Sequence, residues 1–178
     1  MITGIADMEL MGHNVRDKLK KCGEDVRIYP LAKLAYPHVI ELDDHCRIRD
    51  FVFIFAGLGV KIGQHSDIQP HVVIWGGGET IIGNRVSVGP GTVLLSAVYS
   101  HAAGLKMVDG LPEGSSEALY GKLVIEDDVY IGANCTLMPN ITVGEGALIG
   151  AASFVNKDVE PWGIYVGSPA RKIGERKK

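Results

Sequence analysis

From Leu123 to Asp158, apolar side chains return at every sixth position: Ile125, Ile131, Leu137, Val143, Ile149 and Val155. Two residues ahead of each stands another apolar or small residue: Leu123, Val129, Cys135, Ile141, Ala147 and Ser153. This period fits neither the turn of a helix nor the plain alternation of a lone strand. It fits a short strand followed by a turn, repeated, with one large side chain per repeat aimed at a shared core. Upstream, the anchors fall in groups: Ile28 and Leu34; Leu42, Ile48 and Ile54; Ile62, Ile68 and Ile74; Ile82, Val88 and Leu94. The step is six within a group and eight between groups. Three repeats per group predict a three-sided prism, with the two extra residues always at the same corner.

Two stretches depart from the rhythm. Leu94 and Ile125 lie 31 residues apart, so about 25 residues, read as Ser96 to Gly121, leave the prism at that corner and return. Long inserts in compact domains are functional or disordered. Tyr99, Met107, Leu111 and Tyr120 make this one too apolar for disorder. Near the start, Met8, Met11, Val15, Leu19 and Cys22 share one helical face, and Gly23 follows as a stop. The spacing predicts a helix over Met8–Cys22 within a cap at 1–25, a β-helix over 26–158 and a tail over 159–178. Five coils and a fraction, stacked at about 4.8 Å, give a rod roughly 25–30 Å tall.

At 178 residues, the chain is one domain with enough length for a real core. A net charge of −3 argues against a general polyanion binder, so no nucleic-acid partner is expected. From Lys157 onward, however, six basic residues face three acidic ones. The three cysteines, Cys22, Cys46 and Cys135, form no paired spacing, and the latter two fall on inward positions. Core thiols suit a reducing cytoplasm. Neither a signal peptide nor a membrane span is read in the sequence.

The runs DDVYIGANCTLMPNITVGEGALIGAASFVNKDV and VGSPARKI resemble the hexapeptide-repeat acyltransferases, in particular the sugar O-acetyltransferases of the galactoside and maltose type. The resemblance implies a left-handed parallel β-helix, a homotrimer, acetyl-CoA as donor and a catalytic histidine in the extruded loop. His101, in YSH at the start of the insert, stands at that position. Acetyl transfer to a hydroxyl needs a group that accepts a proton near neutrality, which imidazole does. Counted from Ile62-Gly63 and Ile82-Gly83, Gln69 falls where the resembling enzymes place an acceptor-binding amide. His71, two residues on, is expected on the same face. Tyr130 replaces a family tryptophan beside the pantetheine path. Ala133 and Ala151 match positions whose backbone meets the pantetheine arm and thioester. Asn156, Lys157 and Arg171 match positions near the nucleotide and phosphates of CoA, where cations pair with phosphate oxygens.

A zinc centre, known in one enzyme class of this fold, would need three converging imidazoles. The HxxxxH spacing from His101 lands on Lys106, and His65 and His71 are one repeat apart, on different sides of the prism. No metal is therefore expected. A convex prism has no deep pocket, and small-molecule sites are concave, so the cleft requires the loop together with a neighbouring subunit. The expected reaction is acetyl transfer from acetyl-CoA to a saccharide hydroxyl, of the kind used in surface-polysaccharide assembly. N-acetylation of a nucleotide-linked amino sugar is the alternative. A non-enzymatic solenoid that offers its flat faces to proteins is the more distant one.

Overall fold

In the computed structural model, which describes residues 11, 12 and 14–177, the chain winds into a parallel β-helix of three sheets. The first sheet holds Lys21–Cys22, Ile40–Leu42, Gly59–Ile62, Glu79–Ile82, Lys122–Ile125 and Ile141–Val143. The second runs through Arg27–Ile28, Arg47–Ile48, Asp67–Ile68, Ser87–Val88, Tyr130–Ile131 and Leu148–Ile149, and ends on Gly163–Val166 and Arg171–Glu175. The third holds Lys33–Ala35, Phe53–Phe55, Val73–Trp75, Val93–Leu95, Thr136–Leu137 and Phe154–Val155. Anchors stack on anchors: Ile62 lies opposite Ile82, and Ile82 opposite Ile125. Nearly all are fully buried, and each contributes about 1.5–3 kcal/mol through burial.

The corners explain how strands this short can turn so sharply. Asp25, His45, His65, Arg85 and Asp128 all adopt positive φ between the first and second sheets. Phe51, His71, Gly91, Asn134 and Ala152 do so between the second and third. Glycine matters where one coil rides on the next. A Cβ on Gly132 would lie 2.5 Å from the backbone nitrogen of Ala151.

The start of the chain corrects one expectation. Among the described residues, Met8–Cys22 is not a helix: Arg16–Lys18 forms a single 3-10 turn, and Lys21–Cys22 is a strand paired with Glu41 and Leu42. Residues 8–10 and 13 lie outside the described residues. Cys22, Ile28 and Leu34 are themselves spaced by six, and pairing with the next coil outweighs a weak helical pattern. The stack accordingly has six complete coils, beginning at Lys21. A partial seventh follows, in which Val159 bridges Val143 and Ile164 pairs with Leu148.

The insert leaves at the corner between the third and first sheets. Its base is an antiparallel pair, Ala97–Tyr99 against Ala118–Tyr120. Gly121 N–H donates to Ser96 C=O at 2.8 Å, closing the base. Glu79–Ile82 then pairs with Lys122–Ile125 as though nothing intervened.

Candidate active site

His101 sits just beyond the base of the arm. The Ser100 N–H donates to Glu117 C=O at 2.8 Å, one residue before His101, and the Lys106 N–H donates to Ser115 C=O at 2.8 Å beyond it, so His101 lies between two cross-arm bonds with its side chain exposed. Farther out, Tyr99 hydrogen-bonds Asp109, and this bond holds the phenol above its usual range. Asp109 is thus engaged by Tyr99, within the arm that carries His101.

Ala133 and Ala151 lie on the corner between the second and third sheets, one coil apart, where Ala152 N–H donates to Ala133 C=O at 2.9 Å. Gln69 and His71 belong to the same corner, in the third coil. The alternation that would put both on one face does not hold, because His71 has φ 63° and turns the chain. Its ring stacks on Phe51 of the preceding coil, with centroids 4.9 Å apart, whereas Gln69 Nε2 donates to Ser87 Oγ of the following coil at 3.3 Å. Tyr130 stands on the second sheet, opposite Ser87 and Leu148, with its ring 47% exposed.

Three candidates do converge. Asn156, Lys157 and Arg171 line one cavity of about 290 Å³ where the last coil meets the terminal strand pair. That pair, Gly163–Val166 against Arg171–Glu175, is antiparallel and folds the tail back over the coil end. Lys172 in the same wall is held by Glu160 and Glu175 at 2.6 Å each. Lys157 and Arg171 have no carboxylate partner among the described residues, so both cations are available to a ligand's phosphate oxygens. No cluster of His, Cys, Asp or Glu able to hold a metal occurs among the described residues.

Residues 122–157 match the family described as "Bacterial transferase hexapeptide (six repeats)". The chain is 29% identical over 160 residues to the dTDP-4-amino-4,6-dideoxy-D-glucose acyltransferase of Escherichia coli, covering 89% of this chain and 83% of that one. The crystal structure of AntD, an N-acyltransferase from Bacillus cereus in complex with dTDP and 3-hydroxybutyryl-CoA, matches with a TM-score of 0.78. That match is 31% identical and covers 89% of this chain and 84% of AntD. This chain belongs to the hexapeptide-repeat acyltransferases. A chloramphenicol acetyltransferase of Klebsiella aerogenes is 52% identical over 56 residues, 32% of this chain and 27% of that enzyme.

As in other hexapeptide-repeat acyltransferases, the core of this one is its repeat. The candidate residues sit where the repeat is interrupted or exposed. Sequence reasoning missed the Tyr99–Asp109 contact, which joins two residues of the arm ten positions apart. It also missed a polar groove on the second sheet lined by His45, Arg47, His65 and Ser87. Recurrence at twenty residues, the length of a whole early coil, would have aligned His45 with His65 and Arg27 with Arg47. The six-residue period alone hides that alignment.

Proposed function

We propose that this acyltransferase moves the acetyl group of acetyl-CoA to a saccharide, with His101 as the general base, in a cytoplasmic homotrimer. One observation carries the reading: a structure that binds an acyl-CoA and dTDP matches this chain over 89% of its length. Asn156, Lys157 and Arg171 hold the nucleotide and phosphate end of the donor. Tyr130, Ala133 and Ala151 face its pantetheine arm, and Gln69 and His71 contact the acceptor. His101 takes the proton of the acceptor hydroxyl as the oxygen attacks the thioester carbon. A backbone N–H near Ala133 donates to the oxyanion that develops. The carbon–sulfur bond breaks, and His101 returns the proton to the departing thiolate, leaving an acetyl ester and free CoA.

The positions of these groups support the trimer. His101 leaves from the corner between the third and first sheets, whereas Ala133 and Ala151 lie on the corner between the second and third. The third sheet separates the two corners. Between Lys33 in its first strand and Thr136 and Phe154 in its last two, its outward side chains are Phe53, Phe55, Val73, Trp75, Val93 and Leu95, with Trp75 47% exposed. Packing a second copy against that apolar face brings one subunit's arm to its neighbour's donor corner. The cytoplasmic assignment draws support from three free cysteines, Cys22, Cys46 and Cys135, since oxidising compartments favour paired ones. No helix among the described residues is long and apolar enough to cross a membrane.

A second reading has an observation of its own. Two relatives that each cover 89% of the chain are named for acyl transfer to a dTDP-linked amino sugar and for N-acyl transfer. An amine acceptor, already nucleophilic when neutral, depends less on a protein base. The test is turnover of wild type and His101→Ala on hydroxyl and amino-sugar acceptors from about pH 6 to about pH 9, with CoA affinity measured alongside. For a hydroxyl acceptor the variant loses ~10²–10⁴ in rate with CoA affinity unchanged. A loss that shrinks as pH rises assigns the amine. Equal activity at every pH removes His101 from the mechanism.

A further inference from the structure

The outward row of the second sheet contains an electrostatic oddity far from the tail. Arg27 stands directly opposite Arg47 in register, and Arg47 stands opposite Asp67. Like charges facing each other across neighbouring strands destabilise a sheet unless something offsets them. Asp67 does not offset this pair, because both its oxygens are taken by Arg49, from Nε at 2.9 Å and Nη2 at 2.8 Å. Asp25 is shared at 3.5 Å each by Arg27 and by His45 Nδ1. Arg85, on the same wall, is committed to Asp128 at 2.6 and 2.7 Å. Among the described residues, Arg47 is left without a carboxylate partner.

That cation lines a groove of about 490 Å³. The imidazoles of His45 and His65 form another wall, stacked with centroids 4.8 Å apart and planes 18° from parallel. The Ser87 hydroxyl closes a third side. Guanidinium, imidazole and hydroxyl groups are all hydrogen-bond donors, and the acidic members of the wall, Asp25 and Asp67, already have cations of their own. The groove exceeds what one phosphate needs and falls within the range of small-molecule sites.

We infer that this groove binds a phosphate-bearing small molecule, with one phosphate of a diphosphate on Arg47 beside the two imidazoles and the other reaching toward Arg27 on the neighbouring strand, just outside the groove's lining. The bound anion would offset the facing arginines. Arginine's planar fork suits phosphate oxygens better than lysine's point charge does. The inference is independent of acyl transfer, because it is read without turnover.

The experiment titrates pyrophosphate, orthophosphate, CoA and a nucleoside diphosphate separately into the purified full-length protein by calorimetry. The imidazole resonances are followed by NMR in parallel. Pyrophosphate is expected to bind with heat and to shift the His45 and His65 signals while leaving His101 unmoved. Arg47→Ala should weaken it at least tenfold and Arg47→Lys by less, neither with a lowered melting temperature, whereas Arg171→Ala should leave it as in wild type. A nucleoside diphosphate that binds tighter than pyrophosphate identifies a nucleotide as the natural source. Orthophosphate binding equally well identifies a free phosphate. Pyrophosphate binding that survives Arg47→Ala, or that disappears in Arg171→Ala, overturns the inference. So does titration without heat or shift.

Discussion

The second and third sheets share one core and one repeat, yet they present opposite surfaces. Inward, Ile48 and Ile68 on the second sheet match Ile54 and Ile74 on the third, all essentially inaccessible to solvent. Outward, the second sheet shows Arg27, Arg47, Asp67, Ser87, Tyr130 and Leu148, and the third shows Lys33, Phe53, Val73, Val93, Thr136 and Phe154 at the equivalent positions, so the contrast is sharpest in the middle coils. The ladder of hydrogen bonds and the anchors fix the coil. They leave the outer row free, so each face acquires its own role. An aromatic series runs along the third face, with Phe55 and Trp75 centroids 4.9 Å apart and Tyr36 5.0 Å from Phe55. Isolated solvated sheets do not gather rings this way, and soluble monomers rarely expose large contiguous apolar patches. Ion pairs run along the second face instead.

The comparison breaks first at the core, where the two sheets should behave alike. Ile68→Ala and Ile74→Ala should each cost about 2–5 kcal/mol, the range for emptying a packed site. Denaturant melts giving losses that differ by more than about twofold would mean that the two sheets do not share one core. The outward rows should then separate. If the proposed trimer packs through the third face, Trp75→Glu should convert it to monomer and remove most of the activity, while Arg47→Glu leaves the assembly intact. Light scattering decides this, and a Trp75→Glu protein of unchanged mass would exclude the third face as the subunit contact.

Binding of the donor's phosphate end should follow the tail. Each charge-assisted contact to phosphate is worth about 1.5–3 kcal/mol, so Arg171→Ala should weaken CoA by about ten- to a hundredfold. Calorimetry on the intact oligomer checks this, and unchanged affinity would take Arg171 out of the site.

The smallest effect belongs to the corner beside the second sheet. A hydrogen bond from Arg85 holds the Asp128 carboxyl below its usual range, and bonds from Asn84 do the same for Asp127. A depressed carboxyl stabilises the fold above its ordinary titration range, and that contribution disappears as pH falls through the folded value. Both groups are partly exposed, so the loss should stay below about 1 kcal/mol. Melting temperature should fall as the solution is acidified below about pH 4, and less so in Asp128→Asn. An identical acid slope in the variant would show that the pair contributes nothing.

The six-residue spacing made the prism and the exit corner of the insert legible, because nearly every anchor is both large and buried. It failed at Cys22, a small side chain on a two-residue strand that also continued a helical pattern through Val15 and Leu19. It failed again at His71, where positive φ cancels the alternation a strand would impose. Asn156 and Lys157 meet Arg171 only because the terminal strand pair folds back. That return is antiparallel and leaves no trace in a parallel repeat. The family resemblance supplied those three positions where periodicity could not.

The 2.8 Å bond between Ser96 and Gly121 makes the arm a cassette. The chain departs and re-enters at one point, and the rod above and below keeps its register whatever lies between. Lengthening, shortening or exchanging the segment at 97–120 therefore changes what the enzyme can reach without asking the scaffold to refold. Grafting the arm of a relative onto this rod at that junction offers a direct route to new acceptors. Natural variation has the same freedom to alter the arm at this junction while the coils stay constant.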